Sequence, residues 1–154
     1  MNTNAINAYA KAGLDSSVAA ADPHRLILLL YQGALLAISS AKSQMLRKDI
    51  AAKGKSISHA IMIIDEGLKS SLDKNAGGEL AQNLSALYEY MNQRLLVANL
   101  KNDVAALDEV SALLSDLKGA WEEIRPAVQA AQQKAAPPPQ APPAKPAALT
   151  YGRM

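Results

Sequence analysis

Residues 77–121, GGELAQNLSALYEYMNQRLLVANLKNDVAALDEVSALLSDLKGAW, constrain the fold more than any other stretch. Leu80, Leu84, Leu87, Met91 and Leu95 recur at steps of three and four, as do Val104, Leu107, Val110, Leu114, Leu117 and Trp121. At 3.6 residues per turn each set forms one apolar stripe along a helix. The connector 99–103 is short, which sets the two helices antiparallel as neighbours. Asn102 or Asp103 is placed to cap the second helix by accepting from an unpaired first-turn amide. Two facing stripes bury only part of their apolar surface, so the fold needs more helices.

The upstream chain supplies two. Asp22-Pro23 is a helix start: the aspartate caps, and proline fits the first helical position because that amide has no partner to lose. The helix is predicted to run to about Arg47, with Leu26, Leu29, Leu30, Gly33 and Ala37 facing the core. A second set, Ile27, Leu28, Tyr31, Leu35 and Ile38, points elsewhere, which is more apolar surface than one bundle position uses. After a break at Arg47-Lys48, Asp49-Ile50 opens another helix reaching about Leu72. Its stripe is Ile57, Ile61, Ile64 and Leu68, widened by Ala60 and Ile63, with Met62 apart. The segment 73–78 reads as a loop ending in Gly77-Gly78. The third helix also has a surplus: Tyr90 and Val97 on one flank, Leu96 and Leu100 on the far side. The fold class expected is all-α, an antiparallel four-helix bundle over residues 21–125.

The flanks differ in kind. Residues 1–20 form an N-terminal arm in which Ile6 and Tyr9 share one side of a short helical turn; the arm either frays or docks those two side chains into a groove. Pro126 stops the fourth helix, and residues 126–154, with PPPQAPPAKP at their centre, predict a disordered proline- and alanine-rich tail. The tail holds Lys134, Lys145 and Arg153 and no acid; the remainder carries 13 basic and 14 acidic residues. A body so balanced is a poor match for a phosphate backbone, so no nucleic acid is expected as a partner. The chain has no cysteine, no run of 18 apolar residues and no secretory start in MNTNAINAYAK. A soluble cytoplasmic protein with no stable membrane insertion is the expectation.

Catalytic signatures are absent. Bundles that hold two metals use Glu-x-x-His pairs, and neither His24 nor His59 follows a glutamate at that spacing. The sequence has no HExxH, phosphate loop or nucleophile elbow, and its acidic pairs, Asp65-Glu66, Asp108-Glu109 and Glu122-Glu123, are adjacent residues that diverge on a helix. No enzyme activity, metal or cofactor is expected. Trp121 extends the core stripe as an end-plug, and Tyr88 adjoins the core, whereas Tyr31 and Tyr90 fall outside it and suggest a protein-binding surface.

Asp22-Pro23-His24 with LLYQGAL, then KGKSISHAIMIIDEGLKSSLD, and above all the stretch 77–121 resemble the FliS family of flagellin export chaperones. The arm AINAYAK fits as well, and the resemblance is collinear over residues 2–125. Gln32 stands where the family often has an acid and Asp22 where it often has serine; the proline-rich tail has no counterpart. The resemblance implies a non-enzymatic bundle that binds the C-terminal region of flagellin in the cytoplasm, prevents its premature polymerisation and assists delivery to the flagellar type III export apparatus. Export-gate components and other flagellar regulators are further partners it brings into view. It also implies that the arm lies over the client groove, which gives Ile6 and Tyr9 a role. Helical phase alone nominates Ile27, Leu28, Tyr31, Leu35, Tyr90 and Val97 for the flagellin-binding surface. The alternative is a helical regulatory adaptor that uses the same surface for a different amphipathic helix.

Overall fold

The computed structural model describes residues 22–72 and 74–124. The arm, with Ile6 and Tyr9, and the tail 126–154 lie outside the described residues. Four helices follow in order: α1 Pro23–Leu46, α2 Ile50–Met62 continuing into a π-helical stretch Ile63–Lys69, α3 Lys74–Lys101, and α4 Val104–Glu123. The chain clusters into one unit through Trp121 and a second from Glu122, of which residues 122–124 are described.

Three aspartates start three helices. Asp22 accepts from the Arg25 amide at 2.6 Å, Asp49 from Ala52 at 3.2 Å and Asp103 from Ala106 at 3.2 Å. Each satisfies an amide that has no intrahelical acceptor. Asp103 is therefore the cap of α4, while Asn102 takes a left-handed turn with φ 51°. Gly78 breaks the start of α3 with φ 57°, ψ −133°, a conformation open to a residue without Cβ.

Side-chain contacts fix the topology. His24 meets Trp121 near one end of the α1–α4 pair and Lys42 meets Asp108 towards the other, so these helices are antiparallel. Lys53 with Asn99 and Lys69 with Glu89 do the same for the second helix and α3. Gln44 and Ser56 side chains bond at 2.7 Å between α1 and α2, and Arg94 pairs with Glu109 between α3 and α4. Each helix thus has two neighbours, with α1 and α3 on a diagonal. The described residues form an up-down-up-down four-helix bundle.

The core between the helices is fully enclosed at Leu26, Leu30, Ile57, Ile63, Ile64, Met91, Leu95, Leu107, Val110 and Leu114. Two features differ from the periodic expectation. Leu80 shares the α3 stripe but is 67% exposed. Counting up from the Arg94–Glu109 pair at equal rise on both helices, Leu80 sits beyond the level of Trp121, the last α4 residue packed on the core. In the second helix, Ser70 N–H reaches back five residues to the Asp65 carbonyl at 3.3 Å. The wider turn brings Ile63, Ile64, Gly67 and Leu68 all inward, while Ile61 is half-buried.

Candidate protein-binding surface

The six nominated residues occupy three environments. Tyr90 is 42% exposed; Ile27, Leu35 and Val97 are half-buried; Leu28 and Tyr31 are 6% and 4% exposed. Placing Leu28 and Tyr31 on an open surface is therefore a misreading. For Tyr31 the reason is the breadth of the buried arc of α1, which has α2 on one side and α4 on the other, so that even Ile38 of the second apolar set is enclosed. Tyr31 belongs to the core cluster, and its hydroxyl bonds the Tyr88 hydroxyl at 2.6 Å across the diagonal. Burial raises the pKa of both phenols, Tyr88 the more strongly. Leu28 is enclosed without being part of that cluster.

The remaining residues sort by heptads. Leu28, Leu35 and Lys42 are spaced by seven and share one edge of α1; Lys42 donates to Asp108 at 2.8 Å, which identifies that edge as the one beside α4. Tyr90 and Val97 share an edge of α3, and Tyr90 donates to Glu109, so this edge also borders α4, from the opposite side. The structure does not bring the two sets into one patch; they bracket α4. Asp108 and Glu109, consecutive in sequence, reach to the two edges in turn. The Tyr90 hydroxyl and the Arg94 guanidinium hold the Glu109 carboxyl below the usual carboxylate range, and the same contact raises the Tyr90 phenol. Arg94 Nε donates to Glu109 Oε1 at 2.8 Å. Such solvent-accessible pairs contribute little stability.

At one end of the bundle, His24 and Trp121 form a clasp. Their rings stack with centroids 4.7 Å apart and 8° between planes. Trp121 Nε1 donates to the His24 carbonyl at 2.9 Å, and His24 Nε2 donates to the Trp121 carbonyl at 2.7 Å, so the imidazole carries its hydrogen on Nε2. Trp121 is thus an end-plug with a polar lock, and His24 is a buried structural residue. At the other end, buried Lys53 donates to the Asn99 carbonyl at 2.9 Å and to Asn102 Oδ1 at 2.8 Å, capping α3 with a cation. The sequence held signals for both. Lys53 lies four before Ile57 on the core stripe, and His24 precedes Leu28 and Tyr31 at helical spacing.

Among the described residues no group of three or more His, Asp or Glu side chains could hold a metal ion. α1 is long and apolar enough to cross a membrane by length and composition, yet 56% of its most apolar window is buried inside the bundle. What the surface offers is two apolar edges with polar fasteners, suited to holding extended or helical peptide by contact.

The family model described as flagellar protein FliS matches residues 5–128. The chain is 50% identical over 121 residues to the flagellar secretion chaperone FliS of Salmonella typhimurium, covering 79% of this chain and 90% of that one. It is 48% identical over 120 residues to the flagellar secretion chaperone FliSB of Pseudomonas aeruginosa, covering 78% and 94%. Against the Bacillus subtilis chaperone FliS it is 37% identical over 108 residues, covering 70% and 79%. The matched span takes in all four helices, both edges of α4 and the clasp at Trp121, and the chain belongs to the FliS family.

Proposed function

We propose that this protein binds the C-terminal region of flagellin in the cytoplasm, prevents its premature polymerisation and assists its delivery to the flagellar type III export apparatus. The observation that carries the reading is membership of the FliS family, with relatives named flagellar secretion chaperones. The apolar edges on either side of α4 supply the physical means. A client with amphipathic termini would otherwise pair with its own kind. It is held apart when its apolar stripes lie on Ile27 and Leu35 of α1 and on Tyr90 and Val97 of α3, with enclosed Leu28 behind them. Tyr31 supports that surface from beneath. A client that orders on binding loses chain entropy, so a surface spread over both edges favours capture. Ile6 and Tyr9 of the arm would cover the groove until the client displaces them. The action is one of contact and release and uses no catalytic group or cofactor.

The test is calorimetric titration of the full chain with the C-terminal segment of its cognate flagellin. Leu35→Asp and Val97→Asp, one on each edge, should each weaken binding by about tenfold or more, because charge is placed where apolar contact forms. Leu36→Asp, at an exposed position on a different side of α1, should bind as wild type. Thermal melts verify that each variant is folded. Wild-type-like binding by both edge variants would remove the edges from the site. No binding by the unmodified chain would turn the reading towards an adaptor for another helix.

A further inference from the structure

Three large aliphatic side chains stand in solvent at the end of the bundle where α1 turns into α2 and α3 into α4. Leu46 is 64%, Ile50 57% and Leu100 81% exposed. Leu46 and Ile50 line an open hollow of about 510 Å³ with Met45, Lys48, Asn102 and Val104. Scattered exposed leucines are ordinary; Leu46 and Ile50 together on a concavity of ligand-pocket size, with Leu100 at the same end, form a candidate binding feature. The hollow is also preformed. Lys48 and Asn102 hold left-handed backbone at the two turns, Lys53 ties Asn102 to the end of α3, and Asp49 and Asp103 lock the starts of α2 and α4. Little ordering is left to oppose binding.

Charge selects the occupant. Arg47, Lys48 and Lys101 are exposed at this end, and among the described residues none of them forms an ion pair. The carboxylates in the two turns, Asp49 and Asp103, are engaged by helix amides. Arg47, Lys48, Lys101 and the capping Lys53 outnumber the two carboxylates Asp49 and Asp103, so this end is net cationic over an apolar floor. A second copy of this end would bring cations against cations, which electrostatic complementarity disfavours. We propose that the hollow docks a short acidic segment of a partner protein, with one or two large apolar side chains in the hollow and flanking carboxylates on Arg47, Lys48 and Lys101. This site is separate from the edges beside α4 and does not depend on the client reading.

The probe is an acetylated heptapeptide, Glu-Asp-Leu-Phe-Asp-Glu-Leu, titrated into the isotope-labelled full chain by NMR, beside a counterpart with lysine in place of each acid. The acidic peptide is expected to shift the amides of residues 45–50 and 100–104, and the lysine peptide to leave them unmoved. Ile50→Ser and Lys48→Glu, both at exposed positions, should each weaken binding by about fivefold or more with unchanged melting temperature. Raising the salt to about 0.5 M should weaken it as well. Equal response to both peptides, shifts confined to other helices, or no response to the acidic peptide would overturn the proposal. Sedimentation that shows dimers lost in Ile50→Ser would assign the hollow to a second copy instead. Flotation with phosphatidylglycerol vesicles, lost in the same variant, would assign it to a membrane surface.

Discussion

The hydroxyls of Tyr31 and Tyr88 meet at 2.6 Å inside the bundle, joining α1 and α3 across one diagonal. Removing one oxygen strands the other in a dry site. Tyr31→Phe or Tyr88→Phe alone should cost about 1–3 kcal/mol, and the double phenylalanine variant should recover part of that loss, because no polar group is then left unpaired. Denaturant melts of the four proteins give the coupling directly; strictly additive losses would show that the pair contributes nothing as a pair. Tyr31→Asp should unfold the bundle, since it buries a charge with no cation in reach.

The same pair sets the alkaline limit. Burial favours the neutral phenols, so their folded-state pKa values lie above the unfolded value of about 10. Their stabilising contribution is complete below about pH 10 and is lost as pH rises beyond it. Tyrosinate absorbance should therefore rise in two stages, the later one coinciding with loss of helical circular dichroism. The double phenylalanine variant should stay folded to higher pH than wild type.

Glu109 works in the opposite direction. Tyr90 and Arg94 lower its pKa, so its contribution is present above the unfolded carboxylate value of about 4.3 and disappears as pH falls through the lowered one. Glu109→Gln should melt below wild type at neutral pH, and the two curves should converge towards pH ~3. A gap that persists in acid would mean that the substitution acts through packing.

Lys53 tests how much a buried cation contributes when it closes a helix end. Lys53→Met keeps most of the apolar stem but leaves the Asn99 carbonyl without its donor, an expected loss of about 1–3 kcal/mol. Lys55→Met, two residues on and exposed, should change stability by no more than about 0.5 kcal/mol. Equal melting temperatures for the two variants would dismiss the capping role.

Leu80 and Leu114 occupy equivalent phases in the sequence and unequal places in the fold. Leu114→Ala empties a fully enclosed site and should cost about 2–5 kcal/mol. Leu80→Ala, at the wet end of α3, should cost no more than about 0.5 kcal/mol. Guanidinium midpoints of the two variants decide it.

These contrasts mark where sequence reading works. Caps and turns are local chemistry, so Asp22, Asp49 and Asp103 announced three helix starts, and the brevity of 99–103 announced an antiparallel pair. Phase gave the core of α4 from Val104 to Leu117 because that helix presents a single stripe. It failed at Tyr31 and Leu28, where α1 is enclosed over more than one stripe, and at Leu80, where helix stagger, a tertiary property, decides exposure. The edges of the candidate surface were visible as surplus apolar residues. That they lie on opposite sides of α4 became apparent only from the reach of Asp108 and Glu109 to different helices.

The π-helical stretch at Ile63–Lys69 bears on how this helix compares with those of relatives. A helix that bonds five residues back accommodates one more residue per turn than its neighbours expect, without changing which side chains come before and after it in space. In evolutionary terms it has the form of a single-residue insertion absorbed inside a helix. Relatives with an unbroken α-helix here should show a one-residue gap within 63–69 when aligned by structure.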